Sequence, residues 1–514
     1  MRPLWIWLTV IALSAAVAQM PAGSAIFPFW PVIAALSVIL TTRSAAAGLA
    51  VGVIGGTLVS TGGHPIDALR SSFADHLIPQ ISSSWHIGAL FFTLLLGAFA
   101  GVLESSGGFS AILEKMLRGS KNPQKRVLTS VYGLGLLCFF DGLANSMLTG
   151  RIARPAVDRT GISREKLAWV VDSTSSPVAC VAFISTWIAT QLTLIRDSLP
   201  DADAYGLYFQ SIPANPYCLL TLLLIPMAIH LHWEPRAMHR FQPRDMAKDE
   251  DRKTSAAPWR VLVPLVVLAT SIAAGFQIWS GSPIDWTSLE AWRSAASSSA
   301  GPTALIAGAL AGLIAACLCH PRNSSSSWQD AARKGAAGLI PALIILILAW
   351  SLGSVFRTLG AAEAIQSLLG DGVSASFLPL AVFGVAALTA FTTGSSWGTM
   401  ALLMPLALGV LVQTAEPSTL LVIAPGVIGA VFGGAVFGDH ASPFSDTTIV
   451  SALAAGCSPL DHVLSQLPYA LTAAGAAAFA YLMMSLGLHP AASTGLAAVI
   501  LFLTVLLLRH RSRA

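Results

Sequence analysis

The most informative segment of this chain is Phe437-Gly438-Asp439-His440-Ala441-Ser442-Pro443-Phe444-Ser445-Asp446-Thr447-Thr448. It follows an almost uncharged run, residues 419–436, which is about long enough to cross a bilayer, so the carboxylates and hydroxyls arrive at membrane depth. Pro443 has no N–H, and a helix through it loses the hydrogen bond to the carbonyl of Asp439. Irregular backbone at that depth is tolerated only where it is buried in protein or lines a wet cavity. We therefore expect a functional helix break here, with a plain polar loop between two helices as the alternative.

The composition is that of an integral membrane protein. Of 514 residues, 54% are hydrophobic and only 11% are charged, against about 25% charged in soluble domains. The formal net charge of +4 comes from basic residues in short loops between apolar segments, which indicates a lipid bilayer as partner and no nucleic acid. The six cysteines lie in or beside apolar segments, and Cys317-Leu318-Cys319-His320 lacks the spacing of a zinc site. The sequence therefore predicts neither a disulfide framework nor a cofactor.

Apolar segments predict a series of membrane helices, and a short amphipathic helix is predicted at 107–119. The membrane segments lie at about 4–20, 26–41, 44–61, 86–104, 213–233, 259–279, 301–319, 336–356, 466–486 and 490–508. The first segment also resembles a cleavable signal peptide, and a first membrane helix is the preferred interpretation. The loop 234–260 is strongly basic and the loop 280–300 is not, so the first is expected in the cytoplasm and the second outside. The same rule puts both termini in the cytoplasm of a multi-pass inner-membrane protein.

Two segments are predicted to be re-entrant hairpins. Basic clusters flank residues 127–150 on both sides, and the segment is too short to cross the membrane twice. Asp141 and Asn145 are expected near its tip, and a single short span is the alternative. The second hairpin, 374–413, breaks at a polar stretch that contains Thr393, Ser395 and Ser396.

The chain contains a second predicted helix break and an internal repeat. The apolar segment 167–195 is interrupted by Asp172-Ser173-Thr174-Ser175-Ser176-Pro177, and Asp172 precedes Ser-Pro as Asp439 precedes Ser442-Pro443. Gly107–Ile112 matches Gly360–Ile365 at an offset of 253 residues. The charges of the flanking loops indicate that the first helices of the two halves, 86–104 and 336–356, cross the membrane in opposite directions. This is the pattern of an inverted-repeat secondary transporter. We expect an all-α fold with two re-entrant hairpins and two broken helices.

This pattern divides the chain into five parts. They are N-terminal membrane helices at 1–85, a first inverted-repeat unit at 86–195, linking helices with the basic loop at 196–335, a second unit at 336–455, and C-terminal helices at 456–514. Four polar breaks, two from each unit, should then converge near the membrane midplane. A homodimer is compatible with this organisation.

Several runs of this sequence resemble the NhaC-type sodium/proton antiporter family. The runs that match are Phe140-Asp141, Ala144-Asn145, Ser163–Ala168, Val171–Thr174, Ser185–Trp187, Thr393–Thr399, Phe437–His440, Ser445–Thr448, Asp461–Val463 and Gln466–Ala470. The resemblance covers most of the chain from about 86 to 475 and implies a cation/proton exchanger. Some relatives exchange organic acids or amino acids instead.

The chain departs from this family pattern at several positions. Relatives often carry two adjacent aspartates and a tyrosine at the first hairpin, where this chain has Asp141 followed by Gly142 and Leu143. Ser175 and Ser176 replace a family Ala-Ala, and Ala441 replaces a common cysteine. The lost carboxylate leaves the number and the identity of the cations open, and the extra hydroxyls suit a different or larger substrate.

The leading hypothesis is exchange of Na+ or Li+ for protons. Burying a charged aspartate at the bilayer centre costs roughly 2.5–3.5 kcal/mol on insertion scales, so the aspartates of the four breaks are expected to serve function. A carboxylate that holds either a proton or a cation gives exchange directly, and Asp172 and Asp439 are the expected ligands of the transported cation. The cation and proton site is predicted to comprise Asp141, Asn145, Asp172, Ser173, Thr393, Ser395, Ser396, Asp439, Ser442, Asp446 and Thr447.

Two other functions compete with this hypothesis. A sodium- or proton-coupled exchanger of a small organic acid or amino acid would use helix N-termini for a carboxylate, but no positive side chain appears in the four breaks. An intramembrane aspartyl protease is a remote alternative from the enzymes, because two membrane aspartates can activate water. Such proteases carry Gly-x-Gly-Asp, and Val436 occupies the position of the first glycine here. The sequence also has no phosphate-binding loop, so ATP does not drive the protein.

Overall fold

The computed structural model describes residues 2–513 except 21–25, 43, 118–121, 244–256, most of 280–299, 323–326, most of 361–373, and 444. Every regular element in these residues is a helix. The α-helices are α1 Arg2–Val17, α2 Trp30–Thr42, α3 Ala45–Ser60, α4 Pro65–Ser71, α5 Ile78–Ser82, α6 Ser84–Ser105, α7 Gly108–Leu117, α8 Pro123–Leu137, α9 Gly142–Thr160, α10 Arg164–Val181, α11 Thr186–Ser198, α12 Ala204–Ser211, α13 Pro216–Leu231, α14 Trp259–Trp279, α15 Ala300–Cys319, α16 Trp328–Gly338, α17 Ile340–Thr358, α18 Leu378–Thr393, α19 Ser396–Thr414, α20 Pro417–Ala441, α21 Asp446–Ala455, α22 Pro459–Ser485 and α23 Pro490–Arg513.

The all-α multi-pass fold predicted from the apolar segments is confirmed. Among the described residues, 8 helices are long and apolar enough to cross a membrane, or up to 10 if each of two bent helix pairs is one span. The predicted segments coincide with α1–α3, α6, α13–α15, α17, α22 and α23, and the amphipathic helix with α7. The predictions for the loops 234–260 and 280–300 fall largely outside the described residues.

The first predicted hairpin is present as two packed helices, α8 and α9, joined by residues 138–141. Its open end closes on itself, because the Gln124 amide donates to the carbonyls of Thr160 at 3.1 Å and Gly161 at 3.4 Å. Near the tip, the Asn145 amide donates to the Gly135 carbonyl at 2.8 Å across the two arms. Both ends of the segment therefore lie on the same side, as a re-entrant hairpin requires, and its position in a membrane stays a prediction.

The second predicted hairpin consists of α18 and α19, which also pack against each other. Gly394 ends α18 with a φ of +67°, a conformation that glycine adopts at little cost, and Ser395 caps α19 by accepting a hydrogen bond from Gly398 N at 3.1 Å. Each arm is by itself long and apolar enough to cross a membrane. Re-entry of this pair therefore also stays a prediction.

The first helix break lies elsewhere than the sequence predicted. α10 continues through Asp172 and Pro177 to Val181, and the chain bends by 47° only between α10 and α11. A proline inside a helix removes one hydrogen bond, and here the surrounding helix is buried on all sides from residue 167 to residue 180. At the break at 182–185, side chains bond to carbonyls in the last turn of α10 and at its C-cap residue, Ala182. The Tyr208 hydroxyl donates to the Ala182 carbonyl at 2.8 Å, and the Ser185 hydroxyl donates to the Ala179 carbonyl at 2.7 Å.

The second helix break lies where the sequence predicted. α20 ends at Ala441, α21 begins at Asp446, and Pro443 lies between them. The carbonyl of Asp439, which Pro443 deprives of a helical partner, accepts a hydrogen bond from the Thr448 hydroxyl at 2.8 Å. Asp439 thus lies in the last turn before its break, whereas Asp172 lies ten residues before the break at 182, so the two positions are not equivalent.

The remaining helices surround these elements. α22 packs against α10, α13, α20 and α21, so a helix predicted to lie outside the repeat units enters the core. α1–α3 pack together beside α17, and the α14–α15 pair packs against α6. The proposed match of Gly360–Ile365 to the first unit falls mostly outside the described residues. The inverted repeat and the five-part division of the chain stay predictions.

Candidate functional site

Four helices begin close together, two from each predicted repeat unit. α9 begins after Asp141, α11 after Ser185, α19 after Ser395 and α21 after Ser445. Each N-terminus carries about half a positive charge from its unpaired N–H groups, so four of them favour negative groups between them.

Direct contacts connect these N-termini. The Thr186 hydroxyl at the start of α11 donates to Asp141 Oδ2 at 2.8 Å. The Trp187 and Trp397 rings of α11 and α19 meet edge to face with centroids 5.8 Å apart. α21 packs along α9. The polar breaks of the two units therefore share one region.

Asp141 is the N-cap of α9. Its Oδ1 accepts the Ala144 N–H at 2.7 Å while its Oδ2 accepts the Thr186 hydroxyl. The residue is buried, and a carboxylate at an N-cap both satisfies a free N–H and interacts favourably with the helix dipole. Asp141 thus has a structural role that holds α9 to α11, beside its predicted place in the cation site.

Asp172 is a fully buried carboxylate that four side-chain donors surround. Its Oδ2 accepts hydrogen bonds from Gln466 Nε2 at 2.8 Å and His462 Nε2 at 3.1 Å. The Thr448 hydroxyl lies 3.2 Å from the same oxygen and shares its one hydrogen with the Asp439 carbonyl. The Ser451 hydroxyl lies 3.1 Å from Oδ1. These donors come from α21 and α22, so one carboxylate on α10 ties three helices together. Hydrogen bonds to an ionised acceptor are stronger than neutral ones, and this set suits a carboxylate that stays charged.

Asp439 has the opposite environment. It is fully buried, and neither carboxylate oxygen accepts a hydrogen bond from any described residue. The hydroxyls of Ser396 and Ser445 lie close to the carboxylate without the geometry of a hydrogen bond. The Ser396 hydroxyl is itself buried and has no partner among the described residues. A buried charge without donors is costly, so this carboxylate requires a bound proton or a bound cation.

Asp446 stands next to Asp439 at the start of α21. It interacts electrostatically with Asp439, and also with Asp172 and Asp141. Unlike Asp439, it is exposed at the surface of the described residues. Its Oδ1 accepts the N–H of Thr447 at 2.8 Å. Asp439 and Asp446 thus form a carboxylate pair with one buried and one accessible member.

The other predicted site residues have varied surroundings. The Asn145 oxygen accepts the Thr149 hydroxyl at 3.1 Å, so this amide mainly holds the first hairpin together. Thr393 donates back to the Thr389 carbonyl at 2.8 Å within its own helix. The hydroxyls of Thr447 and Ser445 lie 3.0 Å apart beside the pair. Ser173 is buried next to Asp172, Ser442 is buried in the second break, and Ser395 serves as the cap described above.

Sequence reasoning gave no role to several residues that the structure brings to the site. Gln466 Nε2 also donates to the His440 carbonyl at 3.0 Å, and His440 Nδ1 lies 2.8 Å from the Tyr217 hydroxyl. His462 and Gln466 are four residues apart and therefore share one helix face. Two polar residues at that spacing in a segment otherwise suited to a membrane span are the signal that would have found them.

The arrangement can hold a cation or a proton at the carboxylate pair. Asp439, Asp446 and the hydroxyl of Ser396 supply hard oxygen atoms, which suit alkali cations, and Asp446 is exposed at the surface of the described residues. In the described conformation, four donors already occupy the oxygens of Asp172. Its predicted role as a direct cation ligand would require those donors to move.

Comparison with known proteins gives a consistent result. Residues 174–486 match the Na+/H+ antiporter family. An uncharacterised protein of Haemophilus influenzae is 26% identical in an alignment of 513 positions that covers 94% of this chain and 96% of that protein. The malate-2H+/Na+-lactate antiporter of Bacillus subtilis is 30% identical over 144 residues, 27% of this chain and 28% of that protein. The crystal structure of the Alcanivorax borkumensis YdaH transporter superimposes with a TM-score of 0.54 at 18% identity, over 82% of this chain and 88% of that chain, which shows a similar fold.

Proposed function

Because the chain belongs to the Na+/H+ antiporter family, we propose that it exchanges Na+ or Li+ for protons across the bacterial inner membrane, with Asp439 and Asp446 as the exchanging carboxylates. The family membership confirms the resemblance noted in the sequence and places the protein among transporters, not enzymes. The remote protease alternative is therefore wrong. Both termini are proposed to lie in the cytoplasm.

The unpartnered carboxylate of Asp439 is the observation that carries this proposal. Neither of its oxygens has a hydrogen-bond donor among the described residues, and the charge of Asp446 lies nearby. Two ionised carboxylates in this position repel each other unless a positive charge joins them. Either a proton or a cation can provide that positive charge, and binding of one weakens binding of the other. Competition for this pair is proposed as the origin of the exchange.

Asp172 is proposed to act beside this pair. Its four donors keep its charge in place, and it interacts electrostatically with both members of the pair. A fixed negative charge attracts a cation to Asp439 and Asp446. It also disfavours the state in which both carboxylates are ionised and no cation is bound. Direct ligation of the cation by Asp172, as predicted from the sequence, would belong to another conformation of the transport cycle.

A coupled exchanger of a small organic acid is the second candidate. Four helix N-termini meet at the site, and such N-termini bind carboxylate groups. The buried imidazoles of His440 and His462 interact with Asp172 close to these N-termini, and an imidazole is a side chain that can take up a proton. One relative is named as an exchanger of malate and lactate, and the substrate of this chain is a separate question.

Proteoliposomes with a trapped pH indicator test both candidates. The purified protein is reconstituted with an acid interior, and Na+, Li+, K+, malate or lactate is added outside. We expect rapid alkalinisation of the interior with Na+ or Li+ and none with K+. Asp439→Asn serves as the matched control, since it keeps the shape of the side chain and cannot ionise. A response to malate or lactate alone would replace the cation proposal by the second candidate, and equal activity of wild type and Asp439→Asn would refute the role of Asp439.

A further inference from the structure

Gln466 connects the two carboxylate environments through one amide nitrogen. Its Nε2 donates one hydrogen to Asp172 Oδ2 at 2.8 Å and the other to the His440 carbonyl at 3.0 Å. The side chain is fully buried, and its Oε1 has no partner among the described residues. Asp172 lies on α10 and His440 in the last turn of α20, so a residue of α22 joins elements from both predicted repeat units.

The orientation of this amide follows from its neighbours. A carboxylate oxygen and a backbone carbonyl are both acceptors only, so the nitrogen of Gln466 must face them and the oxygen must face away. The carbonyl of His440 is one of the last four of α20, which have no partner inside the helix. An amide with two hydrogens on one atom satisfies this carbonyl and the carboxylate together, and neither Leu nor Glu can do so.

This contact matters because none of the described residues donates a hydrogen bond to the side chain of Asp439. The backbone of the last turn of α20 therefore sets the position of its carboxylate oxygens. Two side chains hold that turn at its carbonyls, Thr448 at Asp439 and Gln466 at the adjacent His440. Movement of this turn displaces the unpartnered carboxylate directly.

We propose that Gln466 is a positioning residue of the transport site, which holds the end of α20 against Asp172 and thereby places the carboxylate of Asp439 for its cation. This inference rests on the proposed exchange at Asp439 and Asp446. It gives α22, which the sequence placed outside both repeat units, a role in substrate affinity. Residues that orient metal ligands typically contribute about ten- to hundredfold to metal affinity.

The test compares Gln466→Leu and Gln466→Glu with a matched control, Gln191→Leu. Gln191 is equally buried, and its Oε1 also has no partner within the described part of the chain. Its Nε2 donates to Cys180, at the carbonyl at 3.2 Å and at the sulfur at 3.4 Å. Each variant is reconstituted, and the half-saturating Na+ concentration and the maximal exchange rate are measured separately. We expect both Gln466 variants to raise the half-saturating concentration at least tenfold, with the maximal rate within a few-fold of wild type.

A purely structural role would lower the amount of folded protein without moving the half-saturating concentration. The proposal is overturned if Gln466→Leu leaves that concentration within twofold of wild type, or if Gln191→Leu raises it equally. Should neither Gln466 variant fold, Gln466→Asn decides, because it keeps the amide on a side chain one methylene shorter, which separates it from Asp172 and the His440 carbonyl. If the wild-type protein shows no exchange with Na+ or Li+, the proposed function is refuted instead. The half-saturating concentrations of the same variants are then compared with malate or lactate, whichever the wild type transports.

Discussion

The same substitution, aspartate to asparagine, should have opposite effects on stability at Asp172 and Asp439. Both side chains are fully buried, but four donors surround the first carboxylate and none of the described residues donates to the second. Asparagine keeps the shape of the side chain and removes its charge. At position 172 it also turns one acceptor into a donor.

The expected magnitudes follow from these contacts. A hydrogen bond to a charged group contributes about 1.5–3 kcal/mol and a neutral one about 0.5–1.5 kcal/mol, so each bond to Asp172 weakens by about 1 kcal/mol when the charge is lost. The bonds from Gln466 and His462 account for about 2 kcal/mol of this loss. The hydroxyls of Thr448 and Ser451 add less, because each shares its one hydrogen with a second acceptor. Asp439→Asn loses no hydrogen bond and removes a carboxylate without donors, so its stability should be unchanged or about 1–2 kcal/mol higher.

Thermal unfolding in detergent measures this difference in stability. The quantity recorded is the fraction of protein that stays monodisperse after heating to each temperature. We expect Asp172→Asn to melt several degrees below wild type and Asp439→Asn at or above it, while both lose cation exchange. Asp172→Glu serves as the control for loss of charge, because it keeps the carboxylate. Its extra methylene disturbs the four contacts. Equal destabilisation by the two asparagine variants, or a larger loss at Asp439, would refute the reasoning. Near-normal exchange by Asp439→Asn would refute the proposed site.

Three further predictions concern competition, topology and packing. Apparent Na+ affinity should weaken as pH falls, by up to about tenfold per pH unit for each obligatory proton, and a constant affinity between about pH 6 and 9 would mean separate sites. Cysteines at Gln124 and Arg159 should both resist an impermeant thiol reagent added outside, since the ends of the first hairpin meet, and opposite labelling would show a plain span. Gly456→Ala should lower stability by about 1–3 kcal/mol, because φ is +79° and the new methyl would lie 2.9 Å from the Arg154 guanidinium. Gly475→Ala, which has open space and an ordinary backbone, should be neutral or slightly stabilising, and an equal loss in both would contradict the explanation.

Much of this fold could be predicted because its determinants are local. The helices follow uninterrupted apolar runs, and the second break follows from Pro443, whose missing N–H acts on its own turn. The first break could not be found in this way. Pro177 lies in an equally polar stretch but stays helical, and the side chains that bond to carbonyls at the end of α10 are those of Tyr208 and Ser185, of which Tyr208 is remote in sequence.

A multi-pass membrane protein with a few carboxylates in polar breaks can be predicted from the residues alone, since hydropathy and residue charge are properties of the chain. The surroundings of each carboxylate are known only from the packing of the helices. In the sequence, Asp172 and Asp439 both precede a Ser-Pro pair by a few residues. Side chains of α21 and α22 donate to Asp172, whereas none of the described residues donates to Asp439. The number of donors around a buried charge depends on helices hundreds of residues away, and in a medium of low polarity that number sets whether the charge is fixed or exchangeable.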